Sequence, residues 1–302
     1  MNATKGQLEI IVEKEIEKIR GNYTPVKTSF MRRWLTRFLK CSQLHPNPGD
    51  EFCDPSIGPS NEIISGYMKA IRFGQKHGED RFLEDPVTVE KITPDGYILL
   101  NGHHRWAAAI KTGIPKIRVE IINLTQQKDI HDMLGNAKHP RRAAVDLDEV
   151  VFRTEYNELT EKPLRFPFSR IYRDPMRLGI PALFNYLNEH GYDIWVYTAR
   201  YYSFESIQQY FWLHHTRVCG VVTGTRRKTS EFAAARARME KLMSEQYEYT
   251  LHIDNDSIVR IDNRTKDYED YEIKGPAIEW ARRVADIIGE IEKREKTASP
   301  EQ

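Results

Sequence analysis

Two aspartates one residue apart, Asp146 and Asp148, close the short apolar run Ala143-Ala144-Val145, and a second apolar step, Val150-Val151-Phe152, follows. Side chains alternate between the faces of a strand, so positions two apart project to one side. At the carboxyl end of a parallel strand such a pair opens into the crevice where α/β sheets bind ligands. Two carboxylates held close together repel unless a cation or a shared proton intervenes. A hard divalent metal with oxygen ligands, Mg²⁺ above all, meets that need. The same residues also suit a polar turn, since Asp is common in turns, so the pair alone decides nothing.

The elements around the pair give it a setting. Asp193 to Tyr197 is a second apolar strand, ending in Thr198-Ala199-Arg200, and the helix before it opens at Pro181 and closes at Gly191. A third run, Val218 to Val222, precedes Thr223-Gly224 and the cluster Arg226-Arg227-Lys228. A fourth, Tyr249 to Ile253, ends in Asp254-Asn255-Asp256. Helical patterns over Ser203 to His215 and Ser230 to Ser244 fill the gaps. Strands alternating with helices predict an α/β fold, a Rossmann-like parallel sheet with both faces covered. Each strand then ends in a group useful for phosphoryl transfer: a carboxylate pair, a hydroxyl, a cation, and a second acidic cluster.

This ordered set resembles the haloacid dehalogenase superfamily of phosphohydrolases and phosphotransferases, over about half of the chain. The resemblance implies that Asp146 is the nucleophile, forming an aspartyl-phosphate, and that Asp148 is the general acid and then base. It implies that Thr198 holds the phosphoryl oxygens and that Lys228 neutralises charge on nucleophile and phosphate. Asp254, with Asp256 as a further candidate, would complete the Mg²⁺ site begun by Asp146 and Asp148. A carboxylate nucleophile splits a hard displacement into two easier steps, while metal and lysine stabilise phosphoryl charge. Two departures stand out. Glu149 replaces the commoner glycine, a less permissive residue for the turn, and Arg226 and Arg227 compete with Lys228 as phosphate binders.

A second constellation lies nearer the N-terminus. The strand Gly96 to Leu100 runs into Asn101-Gly102-His103-His104-Arg105-Trp106, which opens a helical run, Ala107 to Lys111. Glycine at a strand-to-helix turn allows close backbone approach, and the helix start offers N–H groups to an anion. His103, His104 and Arg105 add donors and positive charge, so the residues describe a phosphate pocket or, more plainly, a capped polar turn. Leu99 to Ala109 resembles the nucleotide-phosphate turn of the ParB/sulfiredoxin superfamily. That resemblance implies ATP or CTP bound by Gly102, His104 and Arg105, with Glu62 near where a catalytic acid would sit. His103 stands where the sulfiredoxin branch has its cysteine, so that redox chemistry is not expected.

Composition bounds the rest. With 302 residues, the chain predicts two domains or one large one, and 45 Lys and Arg against 44 Asp and Glu give no strongly basic field overall. Three cysteines, Cys41, Cys53 and Cys219, lack the spacing of a disulfide framework or zinc site and suit a reducing compartment. No apolar run approaches the roughly 18 residues of a membrane span, and the Glu/Lys-rich start is unlike a signal peptide, so a cytoplasmic, membrane-free protein is expected. Leu8 to Ile19 and Val26 to Leu44 read as helices. The second mixes Phe30, Trp34 and Phe38 with Arg32, Arg33, Arg37 and Lys40. It suits either burial against a neighbour or contact with a nucleic acid or an acidic partner. The insertion between Val150 and Arg177, rich in Pro, Arg and aromatics, is too short for a large cap.

The expected organisation is a helical extension over 1–50, a ParB/sulfiredoxin-like α+β domain over 51–138, and a haloacid-dehalogenase-like domain over 139–296. The expected function is Mg²⁺-dependent hydrolysis of a phosphomonoester, either a phosphorylated small molecule or nucleotide or a nucleic-acid end, beside a nucleotide-binding domain. The alternatives are a bifunctional kinase–phosphatase, or a non-catalytic regulator that binds nucleotide or nucleic acid.

Overall fold

The structure, a computed structural model, describes residues 7–19, 23–78, 85–152, 159–225 and 230–298. The chain divides into two compact units, one ending at Leu124 and the other beginning at Thr125, except that the described residues 230–233 group with the first.

The first unit contains α1 (Gln7–Ile19), β1 (Thr24–Pro25), α2 (Phe30–Leu35), β2 (Phe38–Lys40), β3 (Leu44–His45), α3 (Asn61–His77), β4 (Val87–Thr93), β5 (Tyr97–Asn101), α4 (His103–Lys111) and β6 (Lys116–Ile122). Its mixed sheet runs β2-β6-β4-β5-β3, with β1 paired to β4. Period-two alternation puts Val87, Val89, Leu99, Ile117, Val119 and Ile121 on one face. There they pack with Ile64 and Ile71 of α3 and Trp106 to Ala109 of α4. Ser60 caps α3 by accepting the Ile63 N–H, and Gly78 ends it in the left-handed conformation.

The continuous helix expected over Val26 to Leu44 is not formed. Helix α2 stops after six residues, with Thr36 extended, and the chain enters the sheet. Leu39 lies opposite Ile117 in the β2–β6 pairing and joins the core, so backbone pairing overrides the helical spacing. Residues 38–45 therefore contribute strands to this sheet. Helix α4 also starts earlier than its apolar residues suggested, at His103.

The second unit contains α5 (Gln127–Leu134), β7 (Arg141–Asp146), α6 (Ile180–Glu189), β8 (Tyr192–Thr198), α7 (Phe204–Leu213), β9 (Gly220–Thr223), α8 (Ser230–Gln246), β10 (Tyr249–Ile253), β11 (Ser257–Asp262), β12 (Tyr268–Glu272) and α9 (Trp280–Ala298). The sheet order is β12-β11-β10-β7-β8-β9. Strands β10, β7, β8 and β9 are parallel, and β11 and β12 add an antiparallel hairpin. Residues from α6, α7 and α9 pack with Val145, Ile194, Val196 and Leu251 on one face. Ile130 and Met133 of α5 and Met243 of α8 pack with Trp195 and Val222 on the other. Helix α5, read from the sequence as a short link, thus builds one layer of this unit. The hairpin was not anticipated, because β12 is largely solvent-exposed and carries no alternating apolar signal. No described helix is long and apolar enough to cross a membrane.

Candidate functional site

Strands β7, β8, β9 and β10 bring their carboxyl ends to one edge of the second unit. Asp146 is in register with Tyr197 on β8, and Thr198 with Thr223 on β9. Val145 is in register with Ile253, so Asp146 and Asp254 follow at the ends of adjacent parallel strands. Strong apolar runs place these residues: Ala143, Val145, Ile194, Val196, Val221, Leu251 and Ile253 are buried.

Asp148 does not continue β7. The chain leaves the strand after Asp146 and forms a wide helical turn over Leu147–Val151. Asp146 Oδ1 caps that turn, accepting the N–H groups of Asp148 at 2.7 Å and Glu149 at 2.8 Å. The expected alternation that would set both aspartates on one strand face is therefore replaced by a cap. Burial, partly offset by those two N–H donors, raises the Asp146 pKa above the ordinary carboxylate value.

Asp148 instead reaches across to β8. Its Oδ2 accepts the Thr198 hydroxyl at 2.8 Å and the Ala199 N–H at 3.0 Å. Arg200 Nε lies 3.2 Å from its Oδ1. Arg200 also contacts Asp174, with Nη1 3.7 Å from Oδ1, and donates from Nη1 to the Tyr202 hydroxyl at 3.2 Å. The Tyr202 hydroxyl in turn donates to Asp174 Oδ2 at 3.0 Å. Thr198, which the family resemblance would set on the phosphoryl oxygens, has its hydroxyl engaged by Asp148 and by the Arg200 N–H. Arg200 and Asp174 were missed as site residues. Arg200 was visible as the cation after Thr198-Ala199, but the coil residue Asp174 offered no sequence signal.

Asp254 and Asp256 are exposed, and Asp254 Oδ1 accepts the Asn255 N–H at 2.7 Å. Arg177, buried and stacked 4.7 Å over Trp280, anchors the same turn by donating to Asn255 Oδ1 at 2.8 Å. Among the described residues, no group of three or more His, Cys, Asp or Glu converges as a metal site would need. The oxygen donors of Asp146 and Asp254 suit a hard cation in kind, while Asp148 is turned toward Arg200. Lys228, with Arg226 and Arg227, lies outside the described residues.

In the first unit, β5 hands over to α4 through Gly102, at φ +93°. A Cβ there would meet Val87 Cγ1 at 2.6 Å, so only glycine fits. The first α-helical bond runs from Trp106 N to Gly102 O, which leaves the N–H groups of His103, His104 and Arg105 ahead of it. The two imidazoles face elsewhere. His103 is buried, and its Nε2 accepts the Asn47 N–H at 3.2 Å. Its Nδ1 lies 3.6 Å from Asp50. His104 Nε2 accepts the Ser60 N–H at 3.2 Å. Phe52 packs its ring against both histidines, with centroids 5.4 and 5.1 Å away. The histidines expected as phosphate donors act as backbone acceptors that hold the loop before α3. Burial lowers both pKa values, that of His103 to about 4. Arg105 donates to Asp85 O at 2.7 Å.

This turn lies within a recognisable module. Residues 37–137 match the family model of the ParB N-terminal domain. The match takes in every strand of the ParB-like sheet except β1, and it includes Gly102 to Arg105. An uncharacterized protein of Methanocaldococcus jannaschii is 25% identical over 130 residues, which is 43% of this chain and 43% of that protein. The chain thus spans less than half the length of the curated relative it matches. No solved structure matches.

Proposed function

We propose that the second unit is a phosphomonoester hydrolase working through Asp146. The observation that carries this reading is the shared edge at which Asp146, Thr198 and Asp254 end three neighbouring parallel strands, with Asp148 reaching from the following turn to Thr198. An Asp146 carboxylate oxygen attacks phosphorus while Asp148, as general acid, gives a proton to the departing alkoxide oxygen as the P–O bond breaks. Asp148 then takes a proton from water, whose oxygen attacks the phosphorus of the aspartyl-phosphate as the Asp146 O–P bond breaks, releasing inorganic phosphate, freeing Asp146 as a carboxylate and returning Asp148 to its acid form. A Mg²⁺ ion held by Asp146 and Asp254 would supply charge stabilisation for the phosphoryl group. Arg200 holds Asp148 close to Thr198 before substrate arrives, and a substrate phosphate is the anion able to compete for that guanidinium.

The substrate is a nucleotide or a phosphorylated nucleic-acid end, a choice supported by the ParB N-terminal match, with ATP or CTP bound at the Gly102 turn through backbone N–H groups and Arg105. Phosphate release from a panel of phosphomonoesters, with Mg²⁺ or chelator, tests the reading. The wild type should release phosphate only with metal, and Asp146→Asn, which keeps an oxygen to cap the turn, should release none. Equal turnover by the variant would remove Asp146 from the chemistry.

A further inference from the structure

Charge in this chain is balanced as a whole but not along its length. From Tyr23 to Gly49 there is no Asp or Glu, while Lys27, Arg32, Arg33, Arg37 and Lys40 fall in that stretch. Among the described residues, the same stretch carries the densest exposed apolar surface of the first unit. Phe30, Met31, Trp34, Leu35 and Phe38 are each more than half exposed. Isolated exposed apolar residues are ordinary, but a contiguous patch marks an interaction surface.

Strand pairing extends the patch. Strand β2 lies at the sheet edge, antiparallel to β6, with Phe38 opposite Arg118 and Lys40 opposite Lys116. Leu39 and Ile117 point into the core, so Phe38, Lys40, Lys116 and Arg118 share the opposite face with one carboxylate, Glu120. Among the described residues, Arg32, Lys40, Lys116 and Arg118 form no ion pair. Aromatic rings therefore alternate with cations along α2 and β2; of these, Arg32 and Lys40 are unpaired among the described residues, while Arg37 interacts with Glu120 of β6.

We propose that this face of α2, β2 and β6 binds single-stranded nucleic acid, with Trp34 and Phe38 stacking on bases and Arg32, Lys40, Lys116 and Arg118 following the phosphates. Rings interleaved with cations match the repeat of base and phosphate along one strand. A membrane surface fits less well, because α2 spans six residues, under two turns, too short for an interfacial helix. A second copy of the chain would bring the same cations face to face. The binding is independent of the hydrolase reading, since none of these residues belongs to that site.

The test is fluorescence anisotropy of a labelled thymidine oligomer of about 20 nucleotides, without a terminal phosphate, titrated with the full chain. Wild type should bind, with affinity falling steeply as salt rises. Trp34→Ala and Phe38→Ala should each weaken binding about 5- to 100-fold, the loss expected for one stacked base. Lys40→Gln and Arg118→Gln should flatten the salt dependence. Asp146→Asn should bind as wild type does, which separates this surface from the phosphate-release assay. Circular dichroism of the variants, whose substituted side chains are exposed or, for Arg118 and Asp146, partly exposed, should be unchanged. No binding at low salt, or unaltered binding by both aromatic variants, overturns the proposal. So does loss, in those variants, of capture by phosphatidylserine vesicles or of self-association while oligomer affinity stays constant.

Discussion

The Thr198 hydroxyl donates to the Asp148 carboxylate across 2.8 Å, joining the end of β8 to the turn that follows β7. Thr198 is almost fully buried, so the bond sets where Asp148 sits rather than offering a hydroxyl to solvent. Thr198→Val keeps the shape and removes the donor, at a cost of about 1–3 kcal/mol of stability. Thr198→Ser keeps the donor. If Asp148 delivers the proton to the leaving group, the valine variant should lose at least about tenfold in phosphate release, and the serine variant much less. Urea unfolding and phosphate release on the two variants check this together. Equal losses in both would make the bond purely structural.

Sequence carried the scaffold of this edge further than its wiring. Val145, Val196 and Ile253 announce buried strands, and the polar residue after each run marks the strand end, so Asp146, Thr198 and Asp254 were legible. The partners of Asp148 were not. Thr198 is fifty residues along the chain, and Asp174 sits in coil without periodicity. The histidines show the opposite error. A pair of imidazoles at a helix start reads as a donor cluster, but His103 and His104 bond to Asn47 and Ser60, far back in the chain. Helix α2 failed for a related reason. Phe30, Trp34 and Phe38 have helical spacing, yet they are exposed, and the edge pairing of β2 that overrides the spacing is non-local.

Gly102 is the most constrained residue of the ParB-like turn. Its φ of +93° disfavours any side chain, and a Cβ would collide with the buried Val87. Gly102→Ala should destabilise the first unit by more than about 1 kcal/mol. It should also displace the N–H groups of His103 to Arg105, so if ATP or CTP binds there as proposed, its affinity should fall with stability. Isothermal titration with ATP and with CTP, beside thermal unfolding, reads both. A variant as stable as wild type would mean that the turn relaxes freely.

His103 gives the clearest dependence on pH. Neutral Nε2 accepts the Asn47 N–H, and protonation would turn that acceptor into a donor facing a donor. The buried ring's pKa is lowered to about 4, from 6.5 when unfolded, despite the nearby Asp50 carboxylate. Between those values the unfolded chain binds the extra proton, so stability rises with pH. The contribution is fully present above about pH 6.5 and is lost as pH falls toward 4, amounting to on the order of 3 kcal/mol. His104 is shifted in the same direction, again by burial, and steepens the slope. His103→Gln keeps an acceptor near the Nε2 position without a titrating group. Urea midpoints from pH 4.5 to 8 should therefore rise less with pH in the variant than in wild type. Parallel curves would show that the imidazole is protonated in the folded chain or leaves its site before it titrates.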